Sequence, residues 1–172
     1  MKEQETWTNI MKVLSLDQSL NVTGWAYFEN EKLMNYGNFS IKKTLPMEMR
    51  LNEFQKAILQ VMNSCDDGYP DIIVFEDIQN QQNNITYKHL AYVQAALMII
   101  CYNLNIKYSI LSPSSWRAAL GGGFGRKREE QKQAAIEYVQ TKCNKNVSSD
   151  EADAICIGLA YMKEKKRNES AF

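Results

Sequence analysis

The sequence lacks the features that mark membrane proteins, secreted proteins and uniformly basic nucleic-acid-binding proteins. No apolar run approaches the roughly 20 residues needed to cross a bilayer, and the polar, charged N-terminus shows no signal-peptide pattern. The 4 cysteines are scattered without the spacing of a metal site, so we expect a reducing, cytoplasmic setting. The formal net charge is zero, which argues against a uniformly basic surface but allows a local basic patch.

Histidine is almost absent too, since the chain has only His89. It stands at the exposed start of a helical stretch, and we interpret it as a surface residue rather than a metal ligand or a base. Apolar side chains are plentiful: 45% of the 172 residues are hydrophobic and 23% are charged, a globular profile. We predict one domain over residues 11–163, with a flexible N-terminal tail over 1–10 and a charged C-terminal tail over 164–172.

Hydrophobic periodicity predicts a mixed α/β fold. Three short strands in succession indicate an antiparallel meander, and the rest of the chain alternates helices with strands. We therefore expect a mixed sheet with helices on both faces. The predicted strands cover about 11–16, 23–29, 33–41, 72–75 and 108–111, and the predicted helices cover about 46–64, 85–104 and 128–142, with a short helix after 112 and a last helix that opens at 148–151.

Acidic side chains stand at the ends of two apolar strands. Asp17 follows the first predicted strand, and Glu76 follows the continuous apolar run 72–75. A carboxylate at the tip of a buried strand is unfavourable unless a partner such as a cation compensates it. If the two strands are neighbours, both acids face one pocket beyond the strand ends. The alternative for Asp17 is a turn cap that bonds its own backbone.

A second pair of acids opens the last helix. Asp150 and Asp153 are three residues apart and share one helical face. The helix dipole already accounts for Asp150, and a capping box with Ser148 accounts for Glu151. Asp153 has the weakest structural explanation because it stands beside an apolar run, so we expect it to point toward the sheet.

Four carboxylates in one place predict a site for hard cations. Asp17, Glu76, Asp150 and Asp153 would repel one another and raise each other's pKa, so they stay ionised together only with cations among them. Oxygen ligands favour Mg²⁺ or Mn²⁺. Two such ions about 4 Å apart suit in-line hydrolysis of a phosphodiester, in which one ion activates water and the other stabilises the leaving oxygen.

A basic segment follows the glycine-rich run 121–125. Glycines let backbone N–H groups approach phosphate closely, and cations at a helix N-terminus are unfavourable unless an anion neutralises them. The alternative is a solvated helix start without a ligand. The alternatives for Trp116 are stacking on DNA and packing in the core, and we interpret it as a core residue. The cations that we predict to contact phosphate are Arg117, Arg126, Lys127, Arg128 and Lys132.

Five motifs follow one another along residues 13–161. They are Leu16-Asp17-Gln18-Ser19 with Thr23-Gly24, Val74-Phe75-Glu76, Pro113-Ser114-Ser115-Trp116-Arg117, Gly123-Phe124-Gly125-Arg126-Lys127 and Asp150-Glu151-Ala152-Asp153-Ala154-Ile155. In this order they resemble the RuvC-type Holliday-junction resolvases, and more closely their phage-encoded relatives. The resemblance implies an RNase H-like α/β fold with a five-stranded mixed sheet and helices on both faces. It also implies Mg²⁺-dependent cleavage of four-way DNA junctions in the cytoplasm of a bacterial cell or a phage-infected host.

The same resemblance assigns roles to residues. It makes Asp17, Glu76, Asp150 and Asp153 the catalytic acids and the ligands of two Mg²⁺ ions, for which Mn²⁺ would substitute. It further implies a homodimer that places two sites on the two strands of a symmetric junction. The helix over 85–104 is our candidate for the dimer contact, and packing on its own sheet alone is the alternative.

Two positions depart from the family pattern. Bacterial members have Pro-Gly where this chain has Gln18-Ser19, and they have an aromatic residue where it has Gln79. That aromatic residue resembles a wedge at the junction core. We therefore expect activity on a broader range of branched DNA, and we include Gln79 among the predicted DNA contacts.

Three other functions remain open from the residues. An ATP-binding domain of the actin-like class shares the early acid-turn strand pair, although 172 residues are few for its usual two lobes. A non-catalytic junction binder would use the same surface, but four acids would then repel DNA without benefit. A third alternative is another RNase H-like nuclease that acts on RNA–DNA hybrids or repair intermediates.

Overall fold

The computed structural model describes residues 10–65, 68–79 and 83–170. Within these ranges the chain forms five strands and five helices, at positions within one or two residues of those predicted for most elements. In chain order they are β1 (Lys12–Asp17), β2 (Val22–Glu29), β3 (Lys32–Ser40), α1 (Met47–Asn63), β4 (Ile72–Glu76), α2 (Asn84–Asn103), β5 (Lys107–Leu111), α3 (Pro113–Ala119), α4 (Arg128–Cys143) and α5 (Ser149–Glu169).

The strands form one mixed sheet in the order β3-β2-β1-β4-β5. The first three strands pair antiparallel as a meander, and β4 and β5 add parallel to β1. Parallel neighbours need a crossover between them, which α1 supplies from the meander to β4 and α2 supplies from β4 to β5. The predicted mixed five-stranded sheet is therefore confirmed.

Alternation along the strands gives the sheet two apolar faces, as the period of two requires. On β1, Val13 and Ser15 face one side, while Leu14 and Leu16 face the other. The first side is covered by α3, α4 and α5, and the second by α1 and α2. Helices on both faces, as predicted, bury the central strands β1 and β4 completely at their middle residues.

Helix α5 lies directly on β1 and β2. The hydroxyl of Ser15 donates a 2.7 Å hydrogen bond to the carbonyl of Ala154, so a buried polar group is satisfied at the contact. A Cβ at Gly158 would overlap the ring of Phe28 and the Ser15 hydroxyl. These contacts determine the axial position of α5 over the sheet, and therefore where its first turn lies.

The C-terminal boundary differs from the expected one. We expected a charged tail from residue 164, but α5 continues to Glu169. Its last two turns contain several cations, which are favourable at a helix C-terminus. Lys166 also pairs with Glu31 at 2.8 Å. The predicted N-terminal tail lies outside the described residues except for Ile10. No helix in the described ranges is long and apolar enough to cross a membrane.

Candidate active site

Asp17 and Glu76 are the last residues of the adjacent parallel strands β1 and β4. Their preceding residues, Leu16 and Phe75, are register partners, so the two acids end neighbouring strands at the same edge of the sheet. Both lie on the face covered by α5, because the residues two positions earlier, Ser15 and Val74, face that side. The predicted convergence of the two strand ends is therefore present in the structure.

The turn after Asp17 is held by hydroxyl groups and an arginine rather than by Asp17. The Thr23 hydroxyl donates to the Ser19 carbonyl at 2.7 Å, and the Ser19 hydroxyl donates to the Val22 carbonyl at 2.7 Å. Arg50, which is 7% exposed, donates from Nη2 to the Leu20 carbonyl. In the described part of the chain, no hydrogen bond of this turn uses the Asp17 carboxylate, so the turn-cap alternative does not account for it.

Gln18 connects the two strand ends. Its side-chain Nε2 donates to the Glu76 carbonyl at 2.5 Å, and its Oε1 accepts the Glu76 backbone N–H at 3.1 Å. The carboxamide therefore continues the pairing of β1 and β4 beyond the last backbone pair, and it is 5% exposed. From the sequence, Gln18 was identified only as a departure from the family pattern. Its position directly after the first acid was the available signal.

A glycine allows the start of α5 to approach the sheet at the acids. Gly24 is the register partner of Asp17, and a Cβ there would overlap the backbone carbonyl of Asp150. The capping box is present: Ser148 Oγ accepts from the Glu151 N–H, and the Glu151 carboxylate accepts from the Ser148 N–H. The first turn of α5 thus brings Asp150 and Asp153 to the edge where β1 and β4 end.

The pKa of Asp17 responds to the other three acids. Burial first raises the pKa of Asp17 well above its usual range, and the charges of Asp153, Glu76 and Asp150 raise it further, while nearby Arg128 opposes this. Such mutual effects require the four carboxylates to lie close together. The structure therefore brings together all four acids that the sequence singled out.

Asp153 and Glu76 also have raised pKa values, with partly different causes. Burial first, then Glu76 and Asp150, raise the pKa of Asp153 to about 7, and the charges of Arg117 and Lys132 act in the opposite direction. Burial also raises the pKa of Glu76, and the charge of Asp77 adds to this increase. This increase is partly offset by a hydrogen bond from Trp116, whose Nε1–H donates to Glu76 Oε1 at 2.8 Å, and by the charge of Arg117.

Three of the five predicted phosphate-contacting cations lie beside the acids. The charge of Arg117 lowers the pKa of Glu76 and Asp153. The charge of Arg128 lowers the pKa of Asp17, and that of Lys132 lowers the pKa of Asp153. Within the described ranges none of the five forms a salt bridge, and Arg117 Nε is buried without a partner. Their charges are therefore available to an anion that enters the site.

The remaining predicted contacts lie further out. Arg126 and Lys127 have exposed side chains, but their backbone N–H groups donate to the Glu130 carboxylate at 3.0 and 3.1 Å. The sequence prediction concerned the side-chain charges of Arg126 and Lys127 and the flexibility of the glycines, and it did not include this capping acid. Gln79 is exposed three residues beyond Glu76, and residues 80–82 after it lie outside the described residues.

The donor chemistry of the cluster suits a hard cation, although the side chains do not form a ready cage. No group of three His, Cys, Asp or Glu side chains among the described residues is arranged to hold a metal ion as it stands. Four half-buried carboxylates, whose charges together raise the pKa values of Asp17 and Asp153, do however form a site that a divalent cation would stabilise. Rotation of these side chains toward a common ion would be needed.

The sheet order, the meander and the helices on both faces define an RNase H-like fold. Within this class, the chain is similar to RuvC proteins in both sequence and structure. It is 26% identical over 164 residues to the crossover junction endodeoxyribonuclease RuvC of Rickettsia prowazekii, covering 91% of this chain and 99% of that protein. No protein-family model matches the chain.

Solved structures give the same result for the fold. Thermus thermophilus RuvC in complex with a Holliday junction substrate superimposes with a TM-score of 0.75 at 15% identity, covering 91% of this chain and 96% of that one. The yeast mitochondrial Holliday junction resolvase Ydc2 superimposes with a TM-score of 0.58 at 13% identity, covering 93% and 81%. The predicted RNase H-like fold is confirmed, and these similarities support the RuvC-type resemblance.

Proposed function

We propose that this chain is a metal-dependent, structure-selective endonuclease that cleaves four-way DNA junctions, as RuvC-type resolvases do. One observation carries the proposal: four half-buried acids converge at one edge of the sheet, and Arg117, Arg128 and Lys132 border them without salt bridges among the described residues. A cluster of this kind is suited to a phosphodiester accompanied by divalent cations. Relatives named as crossover junction endodeoxyribonucleases, similar over nearly the whole chain, support the choice of substrate.

The cofactor that we propose is a pair of Mg²⁺ ions, for which Mn²⁺ would substitute. Asp17, Glu76, Asp150 and Asp153 would hold them, since all four supply only oxygen donors. When bound, the ions would lower the pKa of water and neutralise charge that develops on the phosphate and the leaving oxygen.

The side chains of the chain itself orient the substrate. Arg128 and Lys132 are one helical turn apart on α4 and direct positive charge at Asp17 and Asp153, where the scissile phosphate has to lie. Arg117 adds charge beside Glu76. These three cations hold the phosphate against the repulsion of the acids, and Gln18 keeps the two strand ends at constant spacing.

The resolvase assignment includes a homodimer, a phage-encoded origin and a cytoplasmic location. Two protomers would place one cleft on each of two opposed strands of a junction. Helix α2 supports the dimer because it exposes large apolar side chains, including Ile85 at 65%, Ile99 at 59% and Tyr102 at 87%. Gln79, where bacterial relatives have an aromatic residue, favours the broader activity on branched DNA that a phage needs.

The proposed function is tested with synthetic four-way junctions, flaps, forks and plain duplexes, each incubated with Mg²⁺ or with EDTA. We expect Mg²⁺-dependent nicking of junctions and of other branched substrates. Asp17→Asn, Glu76→Gln and Asp153→Asn should abolish nicking and leave junction binding in EDTA largely intact. Glu48→Gln, an exposed acid in the first turn of α1 on the opposite side of the sheet, is the matched control.

Each outcome of this experiment distinguishes between functions. Wild-type protein that binds junctions tightly but never nicks them would favour a non-catalytic binder. Turnover of Mg-ATP without DNA would favour the actin-like class. Full nicking by any one of the three acid variants would remove that residue from the site.

A further inference from the structure

Among the described residues, Glu76 is the one acid of the cluster whose carboxylate accepts a hydrogen bond from another side chain. The donor is the indole Nε1–H of Trp116, at 2.8 Å from Oε1. Trp116 has no exposed surface, so its N–H needs a partner inside the protein. The bond restrains the Glu76 carboxylate in one orientation, and its second oxygen remains free for another ligand.

The same indole contacts two residues of the predicted DNA-binding region. The Arg117 guanidinium lies over its ring, with Cζ 4.5 Å from the ring centroid. Phe124 packs against it edge to face, with centroids 5.4 Å apart. Trp116 therefore touches an acid and a cation of the site, and also the middle of the glycine-rich segment.

Phe124 is the buried anchor of the glycine-rich segment 121–125. It is 5% exposed, whereas the glycines on both sides of it are exposed. Gly123 and Gly125 have φ values of +80° and +77°, which side chains with a Cβ rarely adopt. A displacement of the adjoining basic residues would therefore reach the interior through the Phe124 ring, which also packs on Tyr138 of α4 at 6.1 Å.

We propose that Trp116 is a positioning residue that orients the Glu76 carboxylate and transmits to it the position of the glycine-rich segment. This inference rests on the proposed function, because it assigns Glu76 to the divalent-ion site. The coupling runs through two contacts. A movement of the segment displaces Phe124, which tilts the indole ring of Trp116. The indole N–H then rotates the Glu76 carboxylate to which it is hydrogen-bonded. Partners that orient a metal ligand in this way typically change metal affinity or activity 10- to 100-fold when removed.

The hydrogen bond can be observed without measuring cleavage. The chain has 3 tryptophans, so the indole N–H region of a ¹⁵N–¹H spectrum holds few signals, and Trp116→Phe identifies the signal of Trp116. We expect Glu76→Gln to move this signal and to leave that of Trp25 in place. Addition of Mg²⁺ to the wild-type protein should also move it, and should move it much less in Glu76→Gln. A Trp116 signal that responds to neither change would overturn the proposal.

The Mg²⁺ dependence of cleavage supplies the second readout. Trp116→Phe keeps an aromatic ring beside Phe124 and Arg117 but removes the N–H donor. We expect its half-saturating Mg²⁺ concentration to rise about 10-fold, with unchanged junction binding in EDTA. Trp25→Phe, on the other side of the sheet, is the matched control and should keep the wild-type Mg²⁺ dependence. A purely space-filling role would lower thermal stability in both variants and leave the Mg²⁺ dependence unchanged.

The link to the glycine-rich segment has its own variant. Phe124→Leu should move the Trp116 indole signal and raise the Mg²⁺ requirement, although residue 124 contacts no acid. Phe39→Leu is the control, since Phe39 pairs with Phe54 at a similar distance of 5.8 Å on the opposite face. An unmoved indole signal in Phe124→Leu would contradict the link.

The proposed function and the positioning role of Trp116 can fail independently of each other. If the wild-type protein cleaves no branched DNA, the proposed function fails, while the indole response to Glu76→Gln and Mg²⁺ still tests the role of Trp116. If the wild-type protein cleaves junctions, and Trp116→Phe has the same Mg²⁺ dependence of cleavage as the control Trp25→Phe, only the positioning role is wrong.

Discussion

Asp153 lies close to Glu76 and Asp150, and its ionisation is unfavourable because burial and these two like charges act together. Its pKa rises from an ordinary value of 3.8 to about 7. The cost of ionising it in the folded state is therefore absent below pH 3.8 and grows until the pH reaches about 7. A divalent cation would remove this cost by pairing with the carboxylate.

We predict that Asp153→Asn stabilises the metal-free protein at pH 8. The variant lacks the unfavourable charge, so its free energy of unfolding should increase by on the order of 2 kcal/mol, or about 4–8 °C in melting temperature. Thermal unfolding in EDTA at pH 5 and pH 8 measures this. Wild-type protein should lose stability between the two pH values and regain it with Mg²⁺, whereas Asp153→Asn should change less in both respects.

Glu48→Gln is the control for this effect, because Glu48 is exposed on α1, on the opposite side of the sheet from the cluster. Its melting temperature should follow that of the wild type at both pH values. If Asp153→Asn were instead less stable than the wild type in EDTA at pH 8, the carboxylate would not carry the strain that we assign to it.

We predict that Gln18→Ala weakens the site through Glu76. The substitution removes both hydrogen bonds between the Gln18 carboxamide and the Glu76 backbone, so the ends of β1 and β4 are no longer held at one spacing. Cleavage should fall about 10-fold and the required Mg²⁺ concentration should rise, with junction binding in EDTA unchanged. Gln133→Ala, an exposed glutamine on α4, is the control. Equal Mg²⁺ requirements in the two variants would argue against this role.

At the scale of elements, α5 supplies acids to the site and α4 supplies cations. Helix α5 brings two acids to the sheet edge because its first turn is capped by Ser148 and because Gly24 leaves room for its backbone. Helix α4 brings cations to the same edge, although positive charge at a helix N-terminus is unfavourable. Its capping acid Glu130, whose pKa is lowered by the backbone N–H groups of Lys127 and Arg126, satisfies that terminus instead.

The exposed cations before and at the start of α4 should contribute to affinity rather than to chemistry. We predict that Arg126→Ala combined with Lys127→Ala weakens junction binding and reduces the slope of log affinity against log salt by about 1 to 2, since two phosphate contacts are lost. Binding measured in EDTA at several salt concentrations tests this.

The matched control for these cations is at the far end of α5. Lys163→Ala combined with Arg167→Ala removes two exposed cations from a helix C-terminus, where they are favourable without a ligand. Its salt slope should equal that of the wild type. An unchanged slope in the Arg126 and Lys127 variant would show that the basic segment is merely solvated.

At the scale of the whole molecule, the homodimer that we propose depends on the exposed side of α2. Its large apolar side chains recur along the helix, with Ile85, Tyr92, Ile99 and Tyr102 at intervals of seven, seven and three residues. Such a stripe favours contact with another helix. A symmetric contact between two α2 helices would place two clefts in one dimer.

We predict that Ile99→Asp converts the protein to a monomer, because a charge in the centre of an apolar contact is left unpaired. Light scattering coupled to size-exclusion chromatography should show the halved mass, and paired incisions of a junction should give way to single nicks. Met49→Asp places the same charge at an exposed apolar side chain of α1 and should leave the mass unchanged. A dimeric Ile99→Asp protein would exclude α2 as the interface.

Much of the fold was predictable because its elements have local causes. The apolar period of two indicated the strands, the Ser148–Glu151 capping box indicated the start of α5, and the glycines marked the break before α4. The last turns of α5 were not predicted, because exposed charged residues are as common in a solvated tail as on the surface of a helix.

The four acids could be selected from sequence because each stands where a carboxylate is hard to explain structurally, at a strand tip or beside an apolar helix. Their supporting contacts could not. The bonds from Gln18 to Glu76 and from Trp116 to Glu76 span 58 and 40 positions of the chain, and no local pattern reports a contact of that separation.

The sequence by itself determined which side chains were available for chemistry and on which elements they stand, since hydrophobic period and capping act over a few residues. Only the tertiary structure decided that β1 and β4 end side by side, that α5 meets Gly24, and that Trp116 reaches Glu76. Those arrangements depend on strand order and helix packing, which arise from contacts between segments that are distant in the chain.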